Sequence, residues 1–335
     1  MQIGAILTLA GQRKSEGDDS EVPRRYARRE PAGFLSGASR VLLDVLGQSL
    51  LDRTISKLRD FGTTQPTVIA EGAASSPVLP SHSAKTSAFI AAWETAVSRC
   101  VQQGAELLLL LRVNAYSDLD YGELLQFHID KQSSLTQGYG PTGSLDVALV
   151  NATLLRNANG AYRRTLSTLI PEQQRFFYRG YLNRLSKPQD FRKLVEDGLH
   201  GRCGLRPVGV ETAPGVWCGP GAQVESSAVV SSPAFIGAGS RIAACCNISG
   251  ASSIERNCEI DCGTVVDQSC ILQDAYVGVG LDVRHSIVSN KKLFHLDRNI
   301  EVGIADRRLI GAARPIPFVL GAGSVSGATY NGWTD

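Results

Sequence analysis

The sequence predicts two unlike parts: an α/β domain with a mainly parallel sheet, followed by a parallel β-helix. Two observations carry this. Over residues 1–200, apolar strand-like runs alternate with amphipathic helical stretches. From Val224 onward, an aliphatic residue recurs at every sixth position.

In the first part, residues 2–9 read as a strand that leads into a long charged loop. Residues 42–61 give an apolar piece and then a helix with Leu50, Leu51, Ile55 and Leu58 on one face. A short β-branched strand follows at 67–70, an amphipathic helix at 88–103 and a buried strand at 106–113. Residues 119–131 read as helix and 145–150 as another buried strand. Sheets of this kind bind ligands beyond the carboxyl ends of their strands, which directs attention to the loops after Leu9 and Val113. A helix over 188–198 leads into the Gly- and Pro-bearing stretch 204–214. The predicted divisions are an α/β domain over 1–205, a linker over 206–214, a β-helix over 215–315 and a tail over 316–335.

In the second part, Val224, Val230, Ile236, Ile242, Ile248, Ile254, Ile260, Val266 and Leu272 stand six apart without a break. Four residues after each of the first eight stands a small residue: Ala228, Ala234, Ser240, Cys246, Ser252, Cys258, Thr264 and Cys270. Tyr276 breaks that rule, Val277 comes one residue early and Val283 resumes the spacing. A helix repeats near 3.6 residues and a strand near 2, so a six-residue period fits neither alone. It fits a coil whose short faces each send one large and one small side chain inward, stacking on the next coil. Nine such aliphatics supply on the order of 15–25 kcal/mol of burial before chain entropy is charged. Cys246, Cys258 and Cys270 are thereby read as packing residues, and intervening polar residues such as Glu255, Arg256 and Asn257 as facing water.

The chain's 335 residues suffice for two domains, and 43% hydrophobic with 20% charged residues is ordinary for a globular protein. A net charge of +2 argues against nucleic-acid or membrane binding across the whole surface. The eight cysteines form no paired C-x-x-C set, which argues against zinc. The apolar N-terminus lacks a basic leader and a cleavage site, so it reads as a first strand rather than a signal peptide. The longest later apolar run, 107–111, is too short to span a bilayer. Free thiols without a secretion signal point to a reducing cytoplasm.

The order of parts, with several local motifs, resembles the sugar-nucleotide pyrophosphorylases, or sugar-phosphate nucleotidyltransferases, over nearly the whole chain. The family's glycine-rich LAGGxGTRL loop is matched by Leu9-Ala10-Gly11-Gln12-Arg13, with only Gly11 left of its glycines. Its PKxLLPVxGxPLL segment is matched from Ser39 to Leu51, with Arg40 where the family keeps lysine. Counting back from Phe127-His128 puts Asn114 where the family has a metal-binding aspartate. The G-Y-W-x-D-I-G-T-P-E-D-Y segment is matched from Gly180 to Phe191, with Arg184 at its metal-binding aspartate. Ser144-Leu145-Asp146 stands for the sugar-contacting Asn-Ala-Gly.

The resemblance implies a nucleotide-diphospho-sugar transferase-like α/β domain and a left-handed β-helix. It implies a reaction in which a nucleoside triphosphate and a sugar 1-phosphate yield NDP-sugar and pyrophosphate with Mg²⁺, and self-association through the β-helix. Ala10, Gly11, Asn114, Asp146 and Arg184 become substrate-binding candidates, and Arg13 and Arg40 catalytic ones. An arginine about 5 Å from a divalent ion at an effective dielectric near 20 repels it by roughly 6–7 kcal/mol. The expectation is therefore weakened or lost Mg²⁺ catalysis with retained sugar-nucleotide binding or a regulatory role, unless Asp118 or Asp120 substitutes as a ligand. Against that role, both aspartates sit where a helix start favours carboxylates. Two alternatives stay open. One is an active nucleotidyltransferase with an arginine-based site. The other is a hexapeptide-repeat acyltransferase using His285 or His295, although no histidine lies between Val224 and Leu272. The loop cations Arg13, Lys14, Arg24, Arg25, Arg28 and Arg29 are mixed with acids and read as a solvated face, and His128 as packing at a helix end.

Overall fold

A computed structural model describes residues 1–9, 39–63, 66–70, 86–156, 158 and 161–314. The N-terminal part is built on a six-stranded sheet of β1 (Ile3–Leu9), β2 (Thr67–Ala70), β3 (Leu107–Arg112), β4 (Leu135–Gly140), β5 (Gly143–Asn151) and β6 (Gln174–Phe177). Their spatial order is β2-β1-β3-β5-β4-β6. β1 lies parallel between β2 and β3, and β4 pairs parallel with β6. The β3–β5 and β4–β5 pairings are antiparallel. The sheet is thus mixed and mostly parallel, because residues 135–151 fold back as a hairpin that the alternating reading passed over.

Helix α1 (Leu50–Asp60) starts at Ser49, whose hydroxyl accepts the Asp52 N–H at 3.0 Å. It buries Leu50, Leu51 and Leu58 against the face of the sheet that carries Leu7, Leu9, Leu107 and Leu109. Helix α2 (Thr86–Gln102) covers the opposite face with Ala96 and Val97 against Ile6, Leu108 and Val150. Helix α3 (Tyr121–Asp130) follows, and α4 (Pro188–Leu199) begins with proline in its first turn, where no N–H partner is lost. Among the described residues no helix is long and apolar enough to cross a membrane.

From Val216 to Ser289 the C-terminal part visits three sheets in rotation, adding parallel strands, and antiparallel strands at Val210–Ala213, Lys292–His295, Ile300–Gly303 and Ile310–Ala312 border two of them. Pairings advance by 18 residues at first (Gln223 to Arg241, Val229 to Asn247, Phe235 to Ser253) and by 17 later (Ser253 to Cys270, Val265 to Asp282). Three hexapeptides make one coil.

That change in step corrects the end of the repeat. Ile271, not Leu272, pairs with Ile254 and enters the coil core, because the corner after Val266 is one residue short. Val277 is then on schedule. The small inward slot likewise belongs to Ser269, whose N–H donates to Ser252 Oγ at 3.1 Å and whose Oγ accepts the Ser286 N–H at 3.0 Å. Cys270 faces outward and is buried in the core shared with the α/β part, with Leu272, Ile287 and Phe294. Cys246 and Cys258 do line the coil core.

The two parts share one apolar cluster, in which Phe235, Ile287 and Phe294 meet Leu46, Phe191 and Leu194. A polar cluster borders it. Glu255 Oε1 and Oε2 accept the N–H groups of Leu46 and Gly47, each at 2.9 Å. Arg256 Nη1 pairs with Asp44 at 2.8 Å. Glu255 is therefore fully buried instead of facing water, because its sheet face is covered by the α/β part. Arg192 donates to the carbonyls of Gln268 at 3.0 Å and Gly250 at 2.7 Å. The 206–214 stretch is tied down too, through the Val208 N–H to Leu46 O and a strand over Val210–Ala213.

Candidate functional site

A cavity of about 560 Å³ opens at the carboxyl end of β3. Asn114, Tyr116 and Asp118 line it from the segment after that strand, and Arg53 and Lys57 from α1. A second cavity of about 180 Å³ lies beside it, against Thr8, Gln137 and Asp146. Leu111, Arg112 and Val147 form walls of both. Both cavities lie at the carboxyl end of β3, the side of the sheet to which the sequence directed attention.

Between the cavities, Asn114 Nδ2 donates to Asp146 Oδ2 at 2.6 Å. Asp146 adopts a left-handed backbone conformation, with φ of 55°, beside an irregular stretch of the β4–β5 ladder. Its N–H donates to Ser144 Oγ at 3.0 Å. A non-glycine residue in that conformation costs on the order of 1 kcal/mol or more, and such strain concentrates where a side chain must be aimed.

The short strand Leu182–Asn183 pairs antiparallel with Tyr116–Ser117, with Asn183 opposite Tyr116. This brings the segment bearing Arg184 alongside the segment bearing Asn114, although the two are seventy residues apart in sequence. Arg184 Nε donates to Thr142 Oγ1 at 3.1 Å. Its Nη2 is buried without a hydrogen-bond partner among the described residues. A buried charged donor left so costs free energy that an anionic acceptor would recover. Asn183 is structural: its amide donates to Asp190 O at 2.8 Å and its oxygen accepts the Leu185 N–H.

The proposed substitute ligands are engaged elsewhere. Asp118 accepts the Tyr116 hydroxyl at 2.7 Å and the Gly204 N–H at 2.8 Å. Asp120 caps α3 by accepting the Gly122 N–H at 2.7 Å. Among the described residues, no group of three or more His, Cys, Asp or Glu side chains is placed to hold a metal ion. Of the two carboxylates that line the cavities, Asp146 is tied to Asn114 and Asp118 to Tyr116 and Gly204.

Other groups in the cleft went unnoticed in the sequence. Arg53 donates to the carbonyls of Val45 at 2.9 Å and Leu46 at 3.0 Å, and burial lowers its pKa. Lys57 donates to Leu119 O, and burial lowers its pKa against the pull of Asp118 and Asp120. The two cations are spaced four apart on α1, which is the signal that could have found them. Burial also raises the pKa of the Tyr116 hydroxyl, which stays protonated as a donor. No family model and no curated protein matches the chain.

Four candidates, Ala10, Gly11, Arg13 and the side chain of Arg40, lie outside the described residues, as do the loop cations and the tail from 316. Asn114 and Asp146 line the two cavities, whereas Arg184 lines neither and reaches Thr142 from the neighbouring segment. His128 is buried, with Nδ1 2.8 Å from Thr136 Oγ1 and its pKa lowered by burial. His285 lies 3.6 Å from Asp297 at the far end of the chain's coils. His295 lies on the strand Lys292–His295, paired with Ser286.

Proposed function

We propose that the chain descends from the sugar-nucleotide pyrophosphorylases and binds a nucleoside diphosphate-sugar, or its precursors, in this cleft without Mg²⁺-dependent nucleotidyl transfer. The single observation that supports it most is the buried Nη2 of Arg184, without a hydrogen-bond partner among the described residues, on a segment whose strand pairs with the one that follows Asn114. A guanidinium offers a fixed fork of donors to phosphate oxygens and supplies positive charge without a metal. Asp146 offers a carboxylate oxygen to a sugar hydroxyl. On this reading the rotating three-sheet stack is a left-handed parallel β-helix. Its first coil, with Val224 and Val229 exposed, is the surface through which copies of the chain associate.

The test is a thermal-shift screen of the purified chain against ADP-, GDP-, UDP- and dTDP-sugars, with magnesium or with chelator, alongside a pyrophosphate-release assay. The expected result is a stabilising shift from one nucleotide class that chelation leaves unchanged, with no pyrophosphate release. A ligand at 100 times its Kd adds about 2.7 kcal/mol. Failure of every sugar nucleotide to shift the midpoint would refute the binding. Magnesium-dependent turnover abolished in Asn114→Ala would refute the loss of chemistry. Turnover that survives chelation and collapses in Arg184→Ala would instead establish the arginine-based transferase.

A further inference from the structure

Of the eight cysteines, Cys245 and Cys262 alone are exposed; five are buried and Cys218 is half-buried. Both lie at the same corner of the three-sheet stack, on neighbouring coils. The pairings on either side advance by 18 residues, Arg241 to Glu259 and Asn247 to Val265. Cys245 therefore stacks on Gly263, and Cys262 on Ala244. The Gly263 N–H donates to Ala244 O at 3.0 Å, as that register requires. Coils about 4.8 Å apart and consecutive Cα atoms about 3.8 Å apart put the two cysteine Cα atoms roughly 6 Å from each other along the diagonal. Disulfides span about 4.4–6.8 Å between Cα atoms.

The backbone at this corner is unusual for cysteine. Cys245 has φ of 58°, where the next two coils place Gly263 at 69° and Gly280 at 65°. An L side chain there is strained by its Cβ, which glycine avoids. Hydrogen bonds fix both residues: the Cys245 N–H donates to Ser227 Oγ at 3.1 Å and the Cys262 N–H to Asp261 Oδ1 at 2.7 Å. The neighbouring Cys246 points into the coil core, where its Sγ lies 3.0 Å from Asp261 O, so it does not compete.

We propose that Cys245 and Cys262 form a surface dithiol that low-molecular-weight disulfides oxidise to an intramolecular disulfide across two coils. One cysteine thiolate attacks the small disulfide, forming a mixed disulfide and releasing one small thiolate. The second cysteine thiolate then attacks the protein sulfur of that mixed disulfide and expels the other. The protein dithiol loses two electrons and two protons, and the small disulfide is reduced to two thiols. The corner joins the sheets that carry Ile242 and Ile248, whereas the α/β part packs on the third sheet through Phe235, Cys270 and Ile287. The modification is therefore remote from the cleft.

The experiment incubates the full chain with oxidised glutathione, then measures intact mass and maps disulfide-linked peptides. The expected product is monomeric, lighter by two hydrogen atoms and free of adduct, with one linkage between the peptides bearing Cys245 and Cys262. Dithiothreitol restores the starting mass. Cys245→Ser and Cys262→Ser each stop at a stable glutathione adduct on the remaining thiol. Wild-type chain carrying two adducts, linking through another cysteine, forming disulfide-bonded dimers, or staying reduced under conditions that oxidise a free dithiol would overturn the proposal.

Discussion

Replacing Glu255 by glutamine probes the contact between the two parts of the chain through its dependence on pH. Glu255 is fully buried, and burial pushes its carboxyl up to about 7 from an ordinary 4.5. The nearby Asp44 pushes the same way, while the Gly47 and Leu46 N–H groups and Arg53 oppose it. The folded chain therefore holds this proton more tightly than the unfolded chain does. Its stabilising effect is complete below the unfolded pKa near 4.5 and is lost as pH rises through about 7. At about 1.4 kcal/mol per tenfold change in proton affinity, the loss is about 3 kcal/mol. Urea unfolding of wild type and Glu255→Gln in steps from acid to mildly alkaline pH reads this directly. The amide cannot satisfy both backbone N–H donors, so the variant carries a constant penalty; the difference in slope is the test. Wild type should lose about 3 kcal/mol relative to the variant across this window and run parallel to it above. Curves parallel throughout would refute the assignment of a protonated, interface-bound Glu255.

Three further outcomes are expected. Gly47 has φ of 90°, and an added Cβ would lie 2.9 Å from Phe235 Cζ, so Gly47→Ala should lower unfolding stability by about 2 kcal/mol or more. Ile254 is fully buried between Ile236 and Ile271 in the coil core, so Ile254→Ala should cost about 2–5 kcal/mol by denaturant titration; a cost under about 1 kcal/mol would contradict the stacking. Arg184→Ala should weaken sugar-nucleotide binding at least about tenfold by calorimetry while leaving the unfolding midpoint of the free chain near that of wild type.

The alternation of strands and helices pointed to the loop after Val113, and residue types unusual for their place pointed to single side chains. Asn114 and Arg184 could be singled out from the sequence because each interrupts an otherwise familiar segment. Their approach depends on a two-residue strand pairing, Asn183 with Tyr116, too short to leave a periodic signal. Asp146 was reached by its position, but its bond to Asn114 depends on a local backbone irregularity in β5. Arg53 and Lys57 carry no motif of their own, and only the fold sets them along the cleft from α1.

The sequence by itself determined the two-part architecture, because burial periodicity is a local property: a six-residue repeat can satisfy its aliphatics only by stacking coil on coil. It could not place the short corner after Val266, since Ile271 and Leu272 are chemically interchangeable and only the pairing with Ile254 selects one for the core. Nor could it tell that Glu255 is buried, or that Cys270, read as packing inside its own coil, packs on the outer face instead. Both face outward from their own coil, as a water-facing side chain would. The α/β part covers that face, and removal of water from it fixes Glu255's proton affinity and joins the two cores into one.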